Sequence, residues 1–469
     1  MQPRLLPRDL ALAFAGALAA TLVLWGPGLA AFPVYDDISI LAHASPLGGV
    51  SPGGVWTQTL SGFWRPLPLT LCWLVAWAAG LEPLALHAPT VLLHALNAAL
   101  VALVASQHGL GRRASLLAAL AFATHFAAWT AVAALQTIMD VMLATWVLAA
   151  VAATPSWWTP AALARVLALQ VLAILTKETS LVFPLVVALA WWARRASDES
   201  PQPLREGLRS LAPVAALAVV QAILVWQLQR GGEYSYAQQG AVSLSPVTAA
   251  RQLADHALSL AFPFIHVAEL PFHAIVLPGA ALWALRALVL VALVLLAWGV
   301  KLSRTRPGAA LALAGIALLL PVTPLSGAPQ GRFLYPALPL VVLGAALLIA
   351  RLGGRSQLAA IVLVAALHAL MLPSFHLSPT TMRYRQGTAE VGAFAQQFTA
   401  MSEAWRDGES VAIAGHPHPG PPEFRQLYAN GLARILLRDK RVTIVTGDDS
   451  AHADHRLAWV DGVLADARP

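Results

Sequence analysis

The stretch FPVYDDISI, residues 32–40, places two adjacent carboxylates, Asp36 and Asp37, directly after a long apolar run. An ionised aspartate is costly inside the hydrocarbon of a bilayer. The apolar run therefore ends near Pro33, and the two acids lie at a membrane surface. They either cap a short helix that follows or face a bound molecule, and the rest of the sequence favours the second interpretation.

The composition is that of a polytopic integral membrane protein. Hydrophobic residues make up 58% of the 469 positions and charged residues only 11%, and the mean hydropathy is +0.67. A soluble domain carries far more charge. The single cysteine, Cys72, lies in an apolar run and excludes a disulfide framework. The net charge of +7 comes mainly from Arg and Lys in short loops, which is the positive-inside pattern rather than a nucleic-acid-binding surface.

The basic loops predict the topology. Two arginines precede a first span of about 22 apolar residues, and we take the N-terminus as cytoplasmic. The run from Pro66 to Gly80, of about 15 residues, is short for a crossing helix. We interpret it as a re-entrant or surface-lying segment in a long first external loop, residues 33–82. The basic loops then alternate with about eleven transmembrane helices. After the first span these are predicted at 83–106, 114–128, 139–154, 160–176, 179–193, 210–228, 274–300, 308–325, 332–350 and 356–373.

This topology brings ionisable and polar residues from the ends of several spans to the external face that carries the two acids. Such a group on one face of a helical bundle is typical of a binding or catalytic site. Each member, taken alone, is equally well explained as an anchor at the membrane interface. The group consists of His125, Asp140, Lys177, Glu178, Gln330 and Arg332.

Charged residues become frequent after about residue 377. We therefore predict a membrane domain over residues 1–376 and a small soluble α/β domain over residues 377–469, on the external face. The hydrophobic pattern of this second domain predicts two helices and two strands. The helices are expected at 388–407 and 423–437, and the strands at 410–414 and 441–446.

Six short segments follow one another in a characteristic order. They are VYDDISIL at 34–41, FWRPLPLTL at 63–71, LHAPTVLLHALNAALV at 86–101, the segment from His125 to Asp140, LTKETSLVFPL at 175–185 and GRFLYPALPL at 331–340. Their order and spacing resemble the GT-C class of integral-membrane glycosyltransferases, and most closely its transmembrane O-mannosyltransferase branch. The resemblance covers roughly residues 30–350. It implies an all-α polytopic membrane fold, GT-C-like, to which the small C-terminal soluble α/β domain is added.

The resemblance also implies a function. The protein is expected to move a sugar, mannose or similar, from a polyprenyl-phosphate-linked donor to a protein or glycan acceptor on the extracytoplasmic face. The catalytic carboxylate is assigned to Asp36, with Asp37 beside it. Phosphate is a good leaving group and needs no strong general acid. Besides the catalytic carboxylate, the transfer therefore requires cations that hold the phosphate. Lys177, Arg332 and Arg65 are the candidate phosphate-binding residues.

Two other functions stay open: a transporter or flippase of lipid-linked sugars, and a non-catalytic protein that binds them. A transporter would place ionisable groups near the bilayer midplane, whereas these cluster at one end, which favours the enzyme. No cofactor is certain, and a divalent metal is left open. His416 and His418 in GHPHPG are more typical of a polar turn than of a metal site. The expected partners are donor, acceptor and lipid bilayer, without nucleic acid.

Three polar residues lie inside predicted spans. His94 and Asn97 are one turn apart, and we expect them to hydrogen-bond between helices. Arg286 either extends to the membrane surface or meets the phosphate of the donor, and the sequence leaves both open.

Overall fold

The computed structural model describes residues 5–29, 36–60, 62–195, 202–231, 243, 245–261, 278–302, 305–324, 331–377, 379–414, 431–433, 435–437, 442–445, 452–460 and 462–467.

Most of this part of the chain is α-helical. The first ten helices are α1 (Pro7–Leu29), α2 (Asp36–Ala44), α3 (Gly54–Thr57), α4 (Pro66–Ala79), α5 (Pro83–Gln107), α6 (Arg112–Ala123), α7 (Ala128–Ala133), α8 (Ile138–Ala153), α9 (Pro160–Ile174) and α10 (Phe183–Arg195). The later ones are α11 (Leu204–Ser210), α12 (Ala212–Gly231), α13 (Pro246–Ala261), α14 (Gly279–Gly299), α15 (Arg306–Ala317), α16 (Gly331–Leu334), α17 (Leu338–Ile349), α18 (Gly354–Leu377) and α19 (Pro379–Ser402). Short 3₁₀ helices lie at Pro46–Gly48, Leu135–Thr137, Glu178–Val182 and Leu320–Val322.

A helix lies in each of the eleven predicted spans, and the predicted fold class is confirmed. By length and composition, five described stretches are sufficient to cross a membrane: Pro7–Gly26, Pro83–Gln107, Leu135–Ala153, Leu204–Leu228 and Gly279–Gly299. The protein is a multi-pass membrane protein.

Some predicted boundaries differ from the structure. The span predicted at 114–128 ends at Ala123, and the separate helix α7 follows. The long loop predicted between residues 228 and 274 contains α13. The segment predicted at 66–80 forms α4, a helix of 14 residues. At 1.5 Å per residue it reaches about 21 Å, which is less than the ~30 Å of a bilayer core.

Helix α14 presents an apolar surface outward along its length. The exposed fractions of Leu288, Val294 and Trp298 are 62%, 69% and 61%. In a soluble protein such a surface would be unstable in water, whereas lipid tails solvate it. This helix is therefore placed against the bilayer.

Helices α15 and α17 cross at small residues. A Cβ atom added to Gly344 would lie 2.6 Å from the backbone nitrogen of Ala312, and one added to Gly315 would lie 2.8 Å from the carbonyl oxygen of Ala337. Such close backbone contact is typical of membrane helices, because van der Waals packing drives their association. The crossing fixes the start of α17 and, with it, the turn that carries Arg332.

The C-terminal part forms a four-stranded sheet. Its strands are β1 (Ser410–Ala414), β2 (Thr443–Val445), β3 (His455–Val460) and β4 (Val463–Asp466). The order is β2-β1-β3-β4, with β1 parallel to β2 and β3, and β3 antiparallel to β4.

The sequence predicted β1 and β2 but neither β3 nor β4. The helix predicted at 388–407 is α19, which begins earlier, at Pro379, and ends at Ser402. The helix predicted at 423–437 is described only at residues 431–433 and 435–437, and His416 and His418 lie outside the described residues.

The sheet and α19 share one hydrophobic core with the first predicted external loop. We call this cluster the shared core. A Cβ added to Gly431 would lie 3.2 Å from Cγ2 of Ile38 and 3.4 Å from Cβ of Ala42, so the C-terminal part packs directly on α2. Members from the first loop, from the turn before α8 and from the start of α8 include Ile38, Leu41, Leu69, Leu135 and Met139. Members from the C-terminal part include Val391, Phe394, Phe398, Leu432 and Leu457.

Candidate active site

Helix α2 begins with the two acids, Asp36 and Asp37. Carboxylates in the first turn of a helix are stabilised by the partial positive charge of its amino-terminal end. The Asp37 side chain is buried, with 1% of its surface exposed. Its Oδ1 accepts a hydrogen bond of 2.7 Å from the backbone N–H of Gln136, which attaches α2 to the turn before α8. The Asp36 side chain lies outside the described atoms.

The turn before α8 also contacts Arg332. Its residues Leu135–Thr137 form a 3₁₀ helix, and the Thr137 hydroxyl is shared between two carbonyls of the preceding turn, each at 2.5 Å. The side-chain Oε1 of Gln136 accepts a hydrogen bond of 2.5 Å from Nη1 of Arg332. Gln136 therefore joins Asp37, through its main chain, to Arg332, through its side chain.

Lys177 and Asp140 form a buried ion pair beside this link. The Lys177 Nζ and the Asp140 Oδ1 are 2.5 Å apart, and 4% and 2% of the two side chains are exposed. Burial lowers the pKa of the Lys177 ammonium, and the Asp140 carboxylate opposes that shift. Oδ2 of Asp140 has no hydrogen-bond partner among the described residues. The Phe333 ring lies between two cations, with its centroid 5.3 Å from Lys177 Nζ and 5.3 Å from Arg332 Cζ.

Arg65 and Glu178 form a second, bidentate ion pair. The Arg65 Nε and Nη2 atoms donate to the Glu178 carboxylate at 2.8 and 2.7 Å, and Nη1 lies 2.8 Å from the sulfur of Met139. Burial raises the pKa of the Glu178 carboxyl, but the charge and hydrogen bonds of Arg65 and the nearby Lys177 charge together outweigh burial and hold that pKa below its ordinary value. About a fifth of each side chain is exposed, so this pair is more accessible than the Lys177 pair.

Six of the predicted site residues therefore lie in one connected region. They come from parts of the chain far apart in sequence, and their charges balance as three carboxylates and three cations. Neighbours in sequence connect the separate pairs: Lys177 precedes Glu178, and Met139, which touches Arg65, precedes Asp140. The six are Asp37, Arg65, Asp140, Lys177, Glu178 and Arg332.

His125 is placed differently. Its ring is buried, with 5% of the residue exposed, and its Nδ1 accepts a hydrogen bond of 3.1 Å from the backbone N–H of Ala127. The ring lies edge-on to His368 of α18, at a centroid distance of 5.6 Å. Its described contacts are thus with the turn after α6, with the Leu260 backbone of α13 and with α18, and none of these is one of the ion pairs. Gln330 lies outside the described residues.

Three neighbours of these ion pairs were not predicted. Gln136 lies one helical turn before Asp140 in the segment that starts at His125, but an uncharged side chain gives no signal in a search for ionisable groups. Met139 precedes Asp140, and Phe333 follows Arg332 in the GRFLY motif. Their positions beside predicted residues are the only sequence signal that could have found them.

A small groove opens beside the Arg65–Glu178 pair. Phe63, Trp64 and Glu178 line one side of it. Gln221 of α12 lies in the wall, where its Nε2 donates to the Ser180 hydroxyl at 2.8 Å. The groove thus has a charged end and an apolar wall. The apolar wall consists of Ile174, Leu224, Val225 and Leu228.

A buried polar network below the site confirms the predicted interhelical role of His94 and Asn97. His94 Nε2 is 3.1 Å from the carbonyl oxygen of Ala123 and its Nδ1 is 2.7 Å from the Tyr335 hydroxyl. A carbonyl only accepts, so Nε2 of the neutral ring donates, and Nδ1 accepts from Tyr335. The Tyr335 oxygen then accepts from Asn97 Nδ2 at 3.2 Å, and Asn97 Oδ1 accepts from Thr145 at 2.8 Å. Tyr335, three residues after Arg332, is thereby fixed to α5.

Arg286 does not extend to the membrane surface in this structure. It forms a bidentate pair with Asp255 of α13, through Nε to Oδ1 at 2.6 Å and Nη2 to Oδ2 at 3.0 Å. Its Cζ also lies 4.8 Å from the ring centroid of Trp283. A carboxylate thus balances its charge inside the protein, which joins α14 to α13.

The described residues contain no group of three or more His, Cys, Asp or Glu side chains that could hold a metal ion. The site carboxylates Asp140 and Glu178 are each in contact with a cation.

Comparisons with known proteins identify the fold. No family model matches the chain, and no curated protein sequence matches it. The chain is similar in structure to ArnT from Cupriavidus metallidurans bound to undecaprenyl phosphate, with a TM-score of 0.53 and 14% identity, over 94% of this chain and 87% of that one. The apo form of the same protein gives a TM-score of 0.48 and 16% identity, over 94% and 86%. The similarity to the bound form shows a GT-C-like fold.

Proposed function

We propose that this protein is a glycosyltransferase that moves a hexose, mannose or similar, from a polyprenyl-phosphate-linked donor to a protein or glycan acceptor. The observation that carries the proposal is the connection of the acid pair on α2 to three cations. Asp37 is joined to Arg332 through Gln136, and Lys177 and Arg65 lie beside that link.

Two further observations support a lipid-phosphate donor. The fold is shared with ArnT, which was solved with undecaprenyl phosphate bound. The groove beside the Arg65–Glu178 pair has an apolar wall, which suits the isoprenoid chain of such a donor. A donor that enters from the bilayer would keep its hydrocarbon against α12 and present its phosphate to the cations.

The transfer needs one base and a stabilised leaving group. The acceptor hydroxyl oxygen attacks the anomeric carbon, its proton passes to a carboxylate, and the bond from that carbon to the phosphate oxygen breaks with its electron pair left on the phosphate. We assign the carboxylate to Asp36, because a base has to reach the acceptor, while Asp37 is buried and tied to Gln136. Arg332, Lys177 and Arg65 stabilise the charge that grows on the phosphate.

The positive-inside pattern supports a site on the extracytoplasmic face and a cytoplasmic N-terminus. We extend the proposal to the C-terminal part, residues 377–469, which lies on the same face because the shared core joins it to α2. The order of the sequence motifs supports the O-mannosyltransferase branch.

The test uses the purified full-length chain in lipid nanodiscs with polyprenyl-phosphate mannose as donor. The wild type is expected to release polyprenyl phosphate, and Asp36→Asn is expected to abolish release with little change in thermal stability. Glu82→Gln, which changes an exposed acid of the same loop, is the matched control and retains activity. Movement of the intact donor across a vesicle membrane, without release of polyprenyl phosphate, would instead establish a flippase. Binding without either reaction would establish a non-catalytic binder.

A further inference from the structure

Gln136 contacts both parts of the proposed machinery. Its backbone N–H is 2.7 Å from Asp37 Oδ1, and its side-chain Oε1 is 2.5 Å from Arg332 Nη1. One residue therefore links the acid pair to this cation.

The main chain at Gln136 is held firmly from both sides. Leu135 and Ile138 are buried, with 1% and 0% of their surface exposed, in the shared core. The Thr137 hydroxyl bonds to carbonyls of the preceding turn. Because these contacts do not involve the Gln136 side chain, a substitution there leaves the link from the main chain to Asp37 in place.

The Gln136 side chain differs in charge from the carboxylate partners of Lys177 and Arg65, since it is a neutral amide. Carboxylates hold Lys177 and Arg65 and offset their charge. An amide oxygen orients a guanidinium through a hydrogen bond but adds no negative charge. A carboxylate in the place of that amide would compete directly with a phosphate for the same N–H groups.

We propose that Gln136 is a positioning residue that orients Arg332 toward the donor phosphate through a hydrogen bond that adds no negative charge of its own. Its main chain at the same time anchors Asp37 and so fixes the acid pair. The inference rests on the proposed function, because it assumes that Arg332 meets a phosphate.

The test compares Gln136→Glu with Gln136→Met in the full-length chain. The probe is undecaprenyl phosphate in detergent micelles, and its Kd is measured by the change in tryptophan fluorescence. Glu at this position places a carboxylate on Arg332, so Kd is expected to rise by about tenfold or more. Met has nearly the size of Gln but no acceptor, so a smaller rise of about threefold is expected. If Gln136→Glu does not fold, the Kd of Gln136→Met decides the test.

A kinetic measurement distinguishes positioning from general damage. In both variants the KM for the donor is expected to rise while the pH dependence of kcat stays that of the wild type, because the N–H to Asp37 remains. The matched control is Gln170→Met. Gln170 is a buried glutamine whose Nε2 donates to the carbonyl of Val214 at 2.9 Å. The Gln170→Met variant is expected to lose stability with no change in the Kd for undecaprenyl phosphate.

The outcomes separate the two proposals. If the wild type binds undecaprenyl phosphate and folded Gln136→Glu binds it equally well, the positioning role is wrong and the proposed function stands. If the wild type binds undecaprenyl phosphate, the variants bind it weakly, and no sugar is released from any polyprenyl-phosphate donor, the positioning role stands and the transferase does not. A wild type that does not bind undecaprenyl phosphate overturns both.

Discussion

Replacing Asp140 by Asn removes the counter-charge of Lys177 with almost no change in shape. The two side chains are 4% and 2% exposed and their charged atoms are 2.5 Å apart, so water cannot replace the lost partner. Breaking a buried ion pair from one side typically costs about 3–5 kcal/mol, because the remaining charge stays buried. We expect a loss of folding stability in that range.

The double variant Asp140→Asn/Lys177→Met tests the cause of that loss. It removes both charges and keeps the volume of the pair, and such replacements are often neutral or stabilising. The double variant is therefore expected to recover most of the stability lost by Asp140→Asn alone, although it should bind the donor poorly.

The pH dependence has a definite sign. Burial lowers the pKa of Lys177 below its ordinary value of 10.5, and Asp140 opposes the shift, so loss of Asp140 lowers the pKa further. The unfolded chain then binds more protons than the folded one between the lowered pKa and 10.5, and stability rises with pH across that window. Alkaline buffer should partly rescue Asp140→Asn and act less on the wild type.

The assay is thermal unfolding in detergent, followed by tryptophan fluorescence at neutral and alkaline pH. The control is Asp9→Asn, which breaks the pair with the half-exposed Arg112 and should cost less. The reasoning is refuted if the double variant is no more stable than Asp140→Asn, or if Asp140→Asn and Asp9→Asn lose equal stability.

Three further predictions follow from the topology, the accessible ion pair and the buried network. In a cysteine-free background, Thr57→Cys should react with an impermeant thiol reagent in intact cells and Glu206→Cys only after lysis. Both residues are exposed, and the basic loops place them on opposite sides of the membrane. Reaction of both from outside contradicts the topology. Glu178→Gln should lower the donor KM because it releases Arg65, which initial rates against donor concentration check. The same variant should lose less stability than the wild type when the pH falls below about 4.5, because the wild-type carboxyl has a depressed pKa and its protonation destabilises the fold. Unfolding at acid pH checks this. Tyr335→Phe should destabilise the fold by about 1–3 kcal/mol because two buried nitrogen atoms lose a partner, and an unchanged unfolding midpoint would argue against the network.

The sequence predicted most of the helices and six residues that the structure brings into one region, because both depend on one-dimensional signals. Hydropathy marks spans, and the alternation of basic loops places Lys177, Glu178 and Arg332 on the face of the acids. The pairing within the site was not predicted. Arg65 and Glu178 are 113 positions apart, and which cation meets which carboxylate depends on packing between helices.

The missed strands β3 and β4 have a different explanation. Their connection contains Asp461 and Gly462 between two apolar runs, which is a strong signal for a hairpin, and Gly462 adopts a φ of 84° that glycine readily accepts. The link through Gln136 gives no such signal in the sequence, since its contact with Asp37 is made by the main chain.

The shared core has a consequence for biosynthesis. Helix α2 leaves the ribosome well before the residues that cover it, from α19 through Gly431 to the sheet. Contacts between distant parts of a chain form only after both parts exist, so α2 stays incompletely packed until those residues have been made. A chain that stops before Pro379 lacks the surface on which Ile38 and Ala42 pack. We therefore expect synthesis of these residues to act as a checkpoint, after which the acids are held in place.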